Sequence, residues 1–471
     1  MNHFHIHFPR FATAFGAAML ALLAGCAATP TAPPAVPTIA RTWTFLANET
    51  AAPPSPPAHL SPSTDDLAPV AQLVPMNDEA AALWAAAEAD SPALVLARLR
   101  WRRAQENARD ASLDEGPAGS LGTEGCKGWP RGAGLCGSRA SLFTKVSYEA
   151  DLWNRLDDHS AAARADAAGA AADFEAAKRL LKADLLGHYW TIGGLRAAEA
   201  HLLRQLQCEQ QLVAISAARL QEGAVVATEL EAAVSREAVL RARLATVRRQ
   251  LAVRGQDLRA LLGSSQPVEV RVAALPAAEL PALTRIGSPA ETLERRPDVF
   301  RARTGVDAAL LRVGAADAGR YPRLVFSAGL QRGTGGTADW ITRPLATLVS
   351  TLSLPLFEWS RIELRRQAAR TDLEAATANL RDTLVTAAAE IESLAAQRRE
   401  LSGHLATQRQ LVHDAERAEA VARSQWQEGA LSRRDWLLAL STLESARADD
   451  QLVQLSAWQA HIQLLRAIST L

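Results

Sequence analysis

Few residues in this sequence are placed to do chemistry, and most of those are thiols. There are four cysteines. Cys26 closes the stretch Leu23-Ala24-Gly25-Cys26, which looks like a bacterial lipobox. A lipobox implies that residues 1–25 are removed and that Cys26 becomes the lipidated first residue. An ordinary signal peptide with an incidental cysteine is the alternative. Cys126 and Cys136 lie ten apart in a Gly-rich stretch, Gly125 to Gly137, and export would favour a disulfide between them. Zinc would need a second Cys or His pair nearby, and none is present. Cys208 falls within a helical pattern, where a cysteine packs as a small apolar side chain. His3, His5 and His7 alternate as a metal site could, but they lie in the removed segment. Beyond that segment the sequence has no His-x-x-x-His pair, and it has no Gly-rich phosphate loop and no serine elbow. It reads as a chain with no catalytic residues, no metal site and no cofactor beyond the lipid on Cys26.

Composition points the same way. The chain has 471 residues, with 51 basic and 51 acidic side chains. Zero net charge argues against a nucleic-acid binder, because neutralising phosphates requires a basic excess. Only 5% of residues are aromatic, against 48% hydrophobic overall, which is the balance of long helices. Phe11 to Ala24 is apolar but too short to span a bilayer as a helix. Residues 27–75 are rich in Pro, Ala and Thr and read as an extended tether.

The elements that position everything else come in two copies. Trp153-Asn154-Arg155 recurs as Trp359-Ser360-Arg361, and Gln221-Glu222-Gly223-Ala224 recurs as Gln427-Glu428-Gly429-Ala430. Both offsets are 206 (359 − 153 and 427 − 221), so the stretch between the marks carries no gap. That stretch of about 70 residues lacks proline in each copy. Steps of 4 and 3 from Leu380 pass through Leu384, Ala387, Ile391, Leu394, Leu401, Leu405, Val412, Ala415, Ala422 and Trp426. The polar exceptions on this seam are Arg398, Gln408 and Glu419. The same seam in the first copy carries Phe174, Leu181, Leu185, Ile192, Leu195, Leu202, Leu206, Val213 and Leu220. A seven-residue apolar period predicts long helices that coil around partners. Gly223 and Gly429 fit left-handed caps. Second helices are predicted over Thr228–Leu262 and Ser432–Ile468, entered through capping boxes at Thr228/Glu231 and Ser432/Asp435.

Ahead of each Trp mark the period changes to two. Leu142, Thr144, Val146, Tyr148 and Ala150 alternate with Phe143, Lys145, Ser147, Glu149 and Asp151. Leu324, Phe326, Ala328 and Leu330 alternate with Val325, Ser327, Gly329 and Gln331. These are strands with one apolar and one wet face. Partners are expected within Gly116–Gly122 and Ala346–Leu354, giving four strands per chain. Strands of about ten residues suit a membrane barrel, although a soluble sheet with one exposed face remains the alternative. Four strands cannot close a barrel alone, so several chains would have to contribute.

Taken together, the chain resembles the TolC-type outer-membrane efflux channels, and within them the lipoprotein branch that works with resistance-nodulation-division pumps. The resemblance rests on the lipobox, the duplicated unit and three motifs. These are Tyr148-Glu149-Ala150-Asp151-Leu152-Trp153-Asn154-Arg155, Leu293-Glu294-Arg295-Arg296-Pro297-Asp298-Val299, and Tyr321-Pro322 with Ser353-Leu354-Pro355-Leu356-Phe357. It implies a mainly α fold of long antiparallel hairpins forming a periplasmic tunnel, and a trimeric twelve-stranded barrel in outer-membrane lipid. It also implies a homotrimer, a periplasmic adaptor and an inner-membrane pump as partners. The expected organisation is a signal peptide (1–25), a lipidated tether (26–75), a first repeat (76–263), a linker or equatorial segment (264–290) and a second repeat (291–471). Gln221, Glu222 and Gly223, with Gln427, Glu428 and Gly429, match the tips that contact an adaptor. Asp435 matches the first of two acidic gate positions, while Leu438 stands at the second. Arg433 and Arg434 either pair across subunits at the tip or are solvated. Two further readings are an envelope-scaffolding coiled-coil lipoprotein and the duct of a type I secretion system.

Overall fold

The computed structural model describes residue 43 and residues 74–126, 139–272, 274–276, 280–281, 288–333, 345–355 and 357–469. Cys26 and Cys136 lie outside the described residues, as does most of the loop proposed to hold the disulfide. Among the described residues two helices come first, α1 (Asp78–Asp90) and α2 (Pro92–Leu113), followed by strands β1 (Ala118–Cys126) and β2 (Arg139–Ala150). The first hairpin is α3 (Arg155–Gln221) and α4 (Ala227–Leu261). Next come α5 (Pro289–Glu294), α6 (Pro297–Ala318), β3 (Arg323–Gly333) and β4 (Leu345–Ser353). The second hairpin is α7 (Trp359–Gln427) and α8 (Arg433–Ala467). The starts of α4 and α8 differ by 206, and so do their ends (433 − 227 and 467 − 261).

α3 and α7 run 67 and 69 residues. At a rise of about 1.5 Å per residue, each spans roughly 100 Å. Each ends in the same backbone device. Ala224 N–H reaches Arg219 O and Gly223 N–H reaches Leu220 O, at 2.8 and 3.0 Å. Ala430 and Gly429 repeat these bonds to Gln425 and Trp426. This is the Schellman cap, and it needs the left-handed backbone that Gly223 (φ 69°) and Gly429 (φ 78°) supply. The two helix starts that follow differ from each other. Ser432 caps α8, accepting the Asp435 N–H at 3.2 Å and donating its hydroxyl to Asp435 Oδ2 at 2.6 Å. α4 has no such cap, contrary to the Thr228/Glu231 box expected. Val226 holds the cap position in extended backbone, and Thr228 is already inside the first turn. The helix begins two residues earlier than the box requires (228 − 226), and Glu229 N–H is met by Val226 O.

α3 is the central column, packing on α2, α4, α6 and α8, while α7 packs on α6 and α8. The predicted seam is buried at Leu380, Leu384, Ala387, Ile391 and Leu405 on α7, and at Leu181, Leu185, Ile192, Leu195 and Leu202 on α3. Most of these side chains join the main core, which Ile462, Leu464 and Leu465 of α8 complete. Part of the segment after the first hairpin joins that core. Val270 and Val272 are buried in it, and Arg196 Nη1 donates to Val272 O at 2.9 Å. Gly193 of α3 permits the approach, since a Cβ there would sit 2.8 Å from Ala274 O.

The four strands form one antiparallel sheet in the order β1-β2-β3-β4. The halves are joined through β2 and β3, with Tyr148 opposite Phe326 and Val146 opposite Ala328. β1 runs Ala118–Cys126, further toward its turn than the Gly116–Gly122 window expected. That window was hard to read because β1 is mostly small residues. Gly122 stands opposite Phe143, and a Cβ there would lie 2.6 Å from the Phe143 ring. The ring therefore lies across the neighbouring strand where a side chain would otherwise be.

Candidate functional site

The register gives the sheet a mainly apolar and a mainly polar face. One face carries Leu121, Thr144, Val146, Tyr148, Leu324, Phe326, Ala328, Leu330, Leu348 and Leu352, which are paired across strands in register. Leu348 is 83% exposed, and Leu121, Val146, Tyr148, Phe326, Leu330 and Leu352 are also exposed. The opposite face is mainly polar, with Ser120, Lys145, Ser147, Glu149, Ser327, Thr347 and Thr351 interrupted by Phe143, Val325 and Val349. A broad uncovered apolar face backed by a polar one is the pattern of a strand layer between lipid and water. Among the described residues, no helix is long and apolar enough to cross a membrane.

The sheet hands over to α3 through the Tyr148–Arg155 motif. Asp151 accepts the backbone N–H groups of Arg155, Leu156 and Asp157 at 2.8–2.9 Å, satisfying donors that a helix start leaves free. Arg155 pairs with Glu149 at 2.8 Å. Trp153 stacks on Tyr321 with ring centroids 4.6 Å apart, and its Nε1–H donates to Pro322 O at 2.9 Å. The first-copy motif and the Tyr321-Pro322 motif are thus two sides of one joint. Phe357 and Trp359 are exposed at the corresponding start of α7. With Tyr148 they place aromatic side chains where the sheet ends, as at a membrane–water boundary.

Leu293–Val299 makes a second joint. Pro297 opens α6, and Ser288 with Glu291 forms a capping box on α5. Arg296, nearly buried, donates twice to Asp298 (3.0 and 2.7 Å), to Glu390 Oε2 (2.8 Å) and to Ala467 O (2.8 Å). It ties the start of α6 to the middle of α7 and the end of α8. Burial pushes the Asp298 carboxyl up, but the Arg296 hydrogen bonds and charge outweigh it and hold the group below its ordinary value.

At the other end of the hairpins, the structure brings Glu229 and Asp435 to one arginine. Arg434 Nη2 lies 3.1 Å from Glu229 Oε1, and its Nη1 lies 3.4 Å from Asp435 Oδ1. Arg219 adds a longer contact to Glu229 at 3.7 Å. Arg433 Nη2 donates to Gln211 Oε1 at 2.9 Å. Arg433 and Arg434 both have partners within their own chain, because the start of α8 lies against α3 and the start of α4. Leu438, at the second gate position, packs with Cys208, Leu212 and Leu437. Beside it, Trp426 and Trp436 stack at 4.4 Å and 3°, and Trp436 Nε1–H donates to Glu419 at 2.9 Å. Only the second hairpin has this stack. The first has Leu220, Leu230 and Val213 at the equivalent positions. Burial pushes the Cys208 thiol up to about 11, consistent with packing rather than reactivity.

Between the ends, α3, α4 and α8 are joined by buried carboxylates that sequence reasoning did not assign. Glu209 accepts from Ser441 (2.7 Å) and Arg236 (3.2 Å). Glu444 meets His201 (2.8 Å), Arg204 (2.9 Å) and Arg447 (3.2 Å). A signal for such contacts was present, since Glu209, Arg398 and Glu419 all fall on the apolar seams and are buried there.

This geometry matches known proteins along most of the chain. The outer membrane efflux protein family pattern fits residues 83–264 and again 289–470, two spans offset by the same 206 residues (289 − 83 and 470 − 264). The chain belongs to the outer membrane efflux protein family. OpmQ of Pseudomonas aeruginosa, a pyoverdine export outer membrane protein, is 26% identical over 334 residues, covering 70% of this chain and 69% of that protein. CusC of Escherichia coli, a cation efflux system protein, is 24% identical over 364 residues, covering 75% and 78%. A solved structure of CusC superposes with a TM-score of 0.75 at 21% identity, covering 94% of this chain and 99% of that one. The open MtrE outer membrane channel of Neisseria gonorrhoeae gives 0.73 at 17% identity, covering 94% and 98%. This efflux-family chain is therefore a TolC-type outer-membrane duct, with its strands in the membrane and its helical tunnel in the periplasm. The matches favour neither the scaffold nor the type I secretion reading.

Proposed function

We propose that three copies of this chain close a twelve-stranded barrel and serve as the passive exit of a tripartite efflux system. The observation that carries this is the strand order. It leaves β1 and β4 as open edges on a sheet with an uncovered apolar face. Unpaired backbone groups are not tolerated in lipid, so β4 of one copy would pair with β1 of the next until the ring closes. Eight strands would leave an interior filled by side chains, whereas twelve leave a conduit.

On this reading Cys26 carries lipid that anchors the chain in the outer membrane, and residues 26–75 form the tether leading to the first repeat at 76–263. Residues 264–290 lead to the second repeat at 291–471. The tips at Gln221, Glu222, Gly223, Gln427, Glu428 and Gly429 meet a periplasmic adaptor, which joins a resistance-nodulation-division pump. Asp435, Arg434 and Arg433 hold the periplasmic end narrow, with Arg434 bridging to Glu229 of the other hairpin. The relatives are named for pyoverdine and for cations, so one duct architecture serves unlike cargoes and selection rests with the pump. Cys126, the last residue of β1, forms a disulfide with Cys136. Purified protein is expected to migrate as a heat-modifiable trimer and to conduct ions in a planar bilayer. A monomer that stays in solution after removal of the lipid would sink the reading.

A further inference from the structure

A cavity of about 480 Å³ lies where the sheet meets the helices, lined by Arg155, His159, Arg323, Ser353, Glu358 and Arg365 among others. Its charge is unbalanced. Arg155 is already paired with Glu149, and Glu358 lies within 4.0 Å of Arg361. Arg323 and Arg365 are exposed, and among the described residues neither has a carboxylate within ion-pair range. Arg155 Nε–H is buried in the same joint with no acceptor.

The strand register says which way the cavity opens. Arg323 stands opposite Ser353 and alternates with Leu324, so both lining residues belong to the polar face of the sheet. Glu149, which holds Arg155, stands opposite Val325 on that same face. If the apolar face meets lipid, Arg323 looks into the duct, and Arg365 of α7 lines the same cavity.

We infer that this cavity binds an oxyanion group, carboxylate or phosphate, on a solute inside the duct, with Arg323 and Arg365 as its ligands. This rests on the duct reading and adds a charge preference at the membrane end of the tunnel. Guanidinium groups suit oxyanions because their planar N–H forks match the acceptor geometry. Rings of arginine or lysine are also the device by which pores favour anions. Threefold repetition of the cavity would set six such arginines around the passage, opposite in sign to the acidic Asp435 position at the far end.

The test titrates inorganic pyrophosphate into the detergent-solubilised full chain and follows the heat of binding. Wild type is expected to bind saturably, and Arg323→Gln/Arg365→Gln at least about tenfold more weakly, since each lost charge-assisted hydrogen bond counts for roughly a factor of ten. Arg102→Gln, on the exposed face of α2, should bind like wild type. Absent or non-saturable binding, or equal binding by all three proteins, overturns the inference. Mixed micelles of phosphatidylglycerol form a second arm. Arginine-dependent binding of the lipid without binding of pyrophosphate would make this a headgroup site and overturn the duct-side assignment. In planar bilayers under a KCl gradient, the double variant should shift the reversal potential toward that of potassium, and conduction without such a shift also counts against it. A wild type that binds pyrophosphate but does not conduct would strike the duct reading and leave the cavity assignment standing.

Discussion

Two glycines and one glutamate show how single positions govern the helical part. Gly223 and Gly429 hold φ values of 69° and 78°, where a Cβ costs about 1 kcal/mol. Gly429→Ala should leave the global fold intact and speed hydrogen exchange of the amides at 424–431 roughly fivefold, the factor that about 1 kcal/mol implies. Unchanged exchange would mean that the cap is not what ends α7. Glu444 is 4% exposed and meets His201, Arg204 and Arg447. Burial pushes its carboxyl up, but hydrogen bonds from His201 and Arg204 outweigh it and hold the group below the ordinary 4.5. A carboxylate with a depressed folded value stabilises above its unfolded value and loses that contribution as pH falls through the folded one. Glu444→Gln should therefore lower the Tm at pH 7 and show a shallower loss of stability below pH 4.5. Parallel Tm–pH curves for the two proteins would refute this. The pairing around Glu444 was not legible in the sequence, because its partners His201 and Arg204 come from α3, more than two hundred positions away.

The helical hairpins were largely legible as elements. Their apolar seams, their glycine stops and the equal spacing of the copies are local or periodic, and the structure keeps them. The sequence missed how the two tips meet. Sequence offset aligns Asp435 with Glu229, but only the packing of α8 against both hairpins puts Arg434 between them. Arg434→Ala removes the group that holds Glu229 and Asp435 together and should raise single-channel conductance in planar bilayers severalfold. An unaltered open probability and conductance would remove this contact from the gate. The Trp426–Trp436 stack should keep the second hairpin closed on itself in that variant, so the loosening is between hairpins and not within one.

For the molecule as a whole, the sheet decides where it resides. Leu348 is in the middle of β4, on the apolar face. An arginine facing lipid near the bilayer midplane costs about 2–4 kcal/mol. Leu348→Arg should lower the temperature at which the assembled form dissociates on a gel, whereas Thr347→Arg on the opposite face should not. Equal effects would place water, not lipid, against the apolar face. The sequence by itself determined what depends on neighbours along the chain: the duplicated plan, the seven-residue seams, the two-faced strands and the caps that stop the long helices. These follow from side-chain period and backbone preference, which act over one or two turns. Tertiary structure alone decided the sheet order that joins the halves through β2 and β3, and the burial of Val270 and Val272 in the connecting segment. It also decided the shared arginine at the tips and the basic cavity beneath the sheet. Each of these brings together residues that no local period relates, and their energies exist only once the two copies are packed against each other.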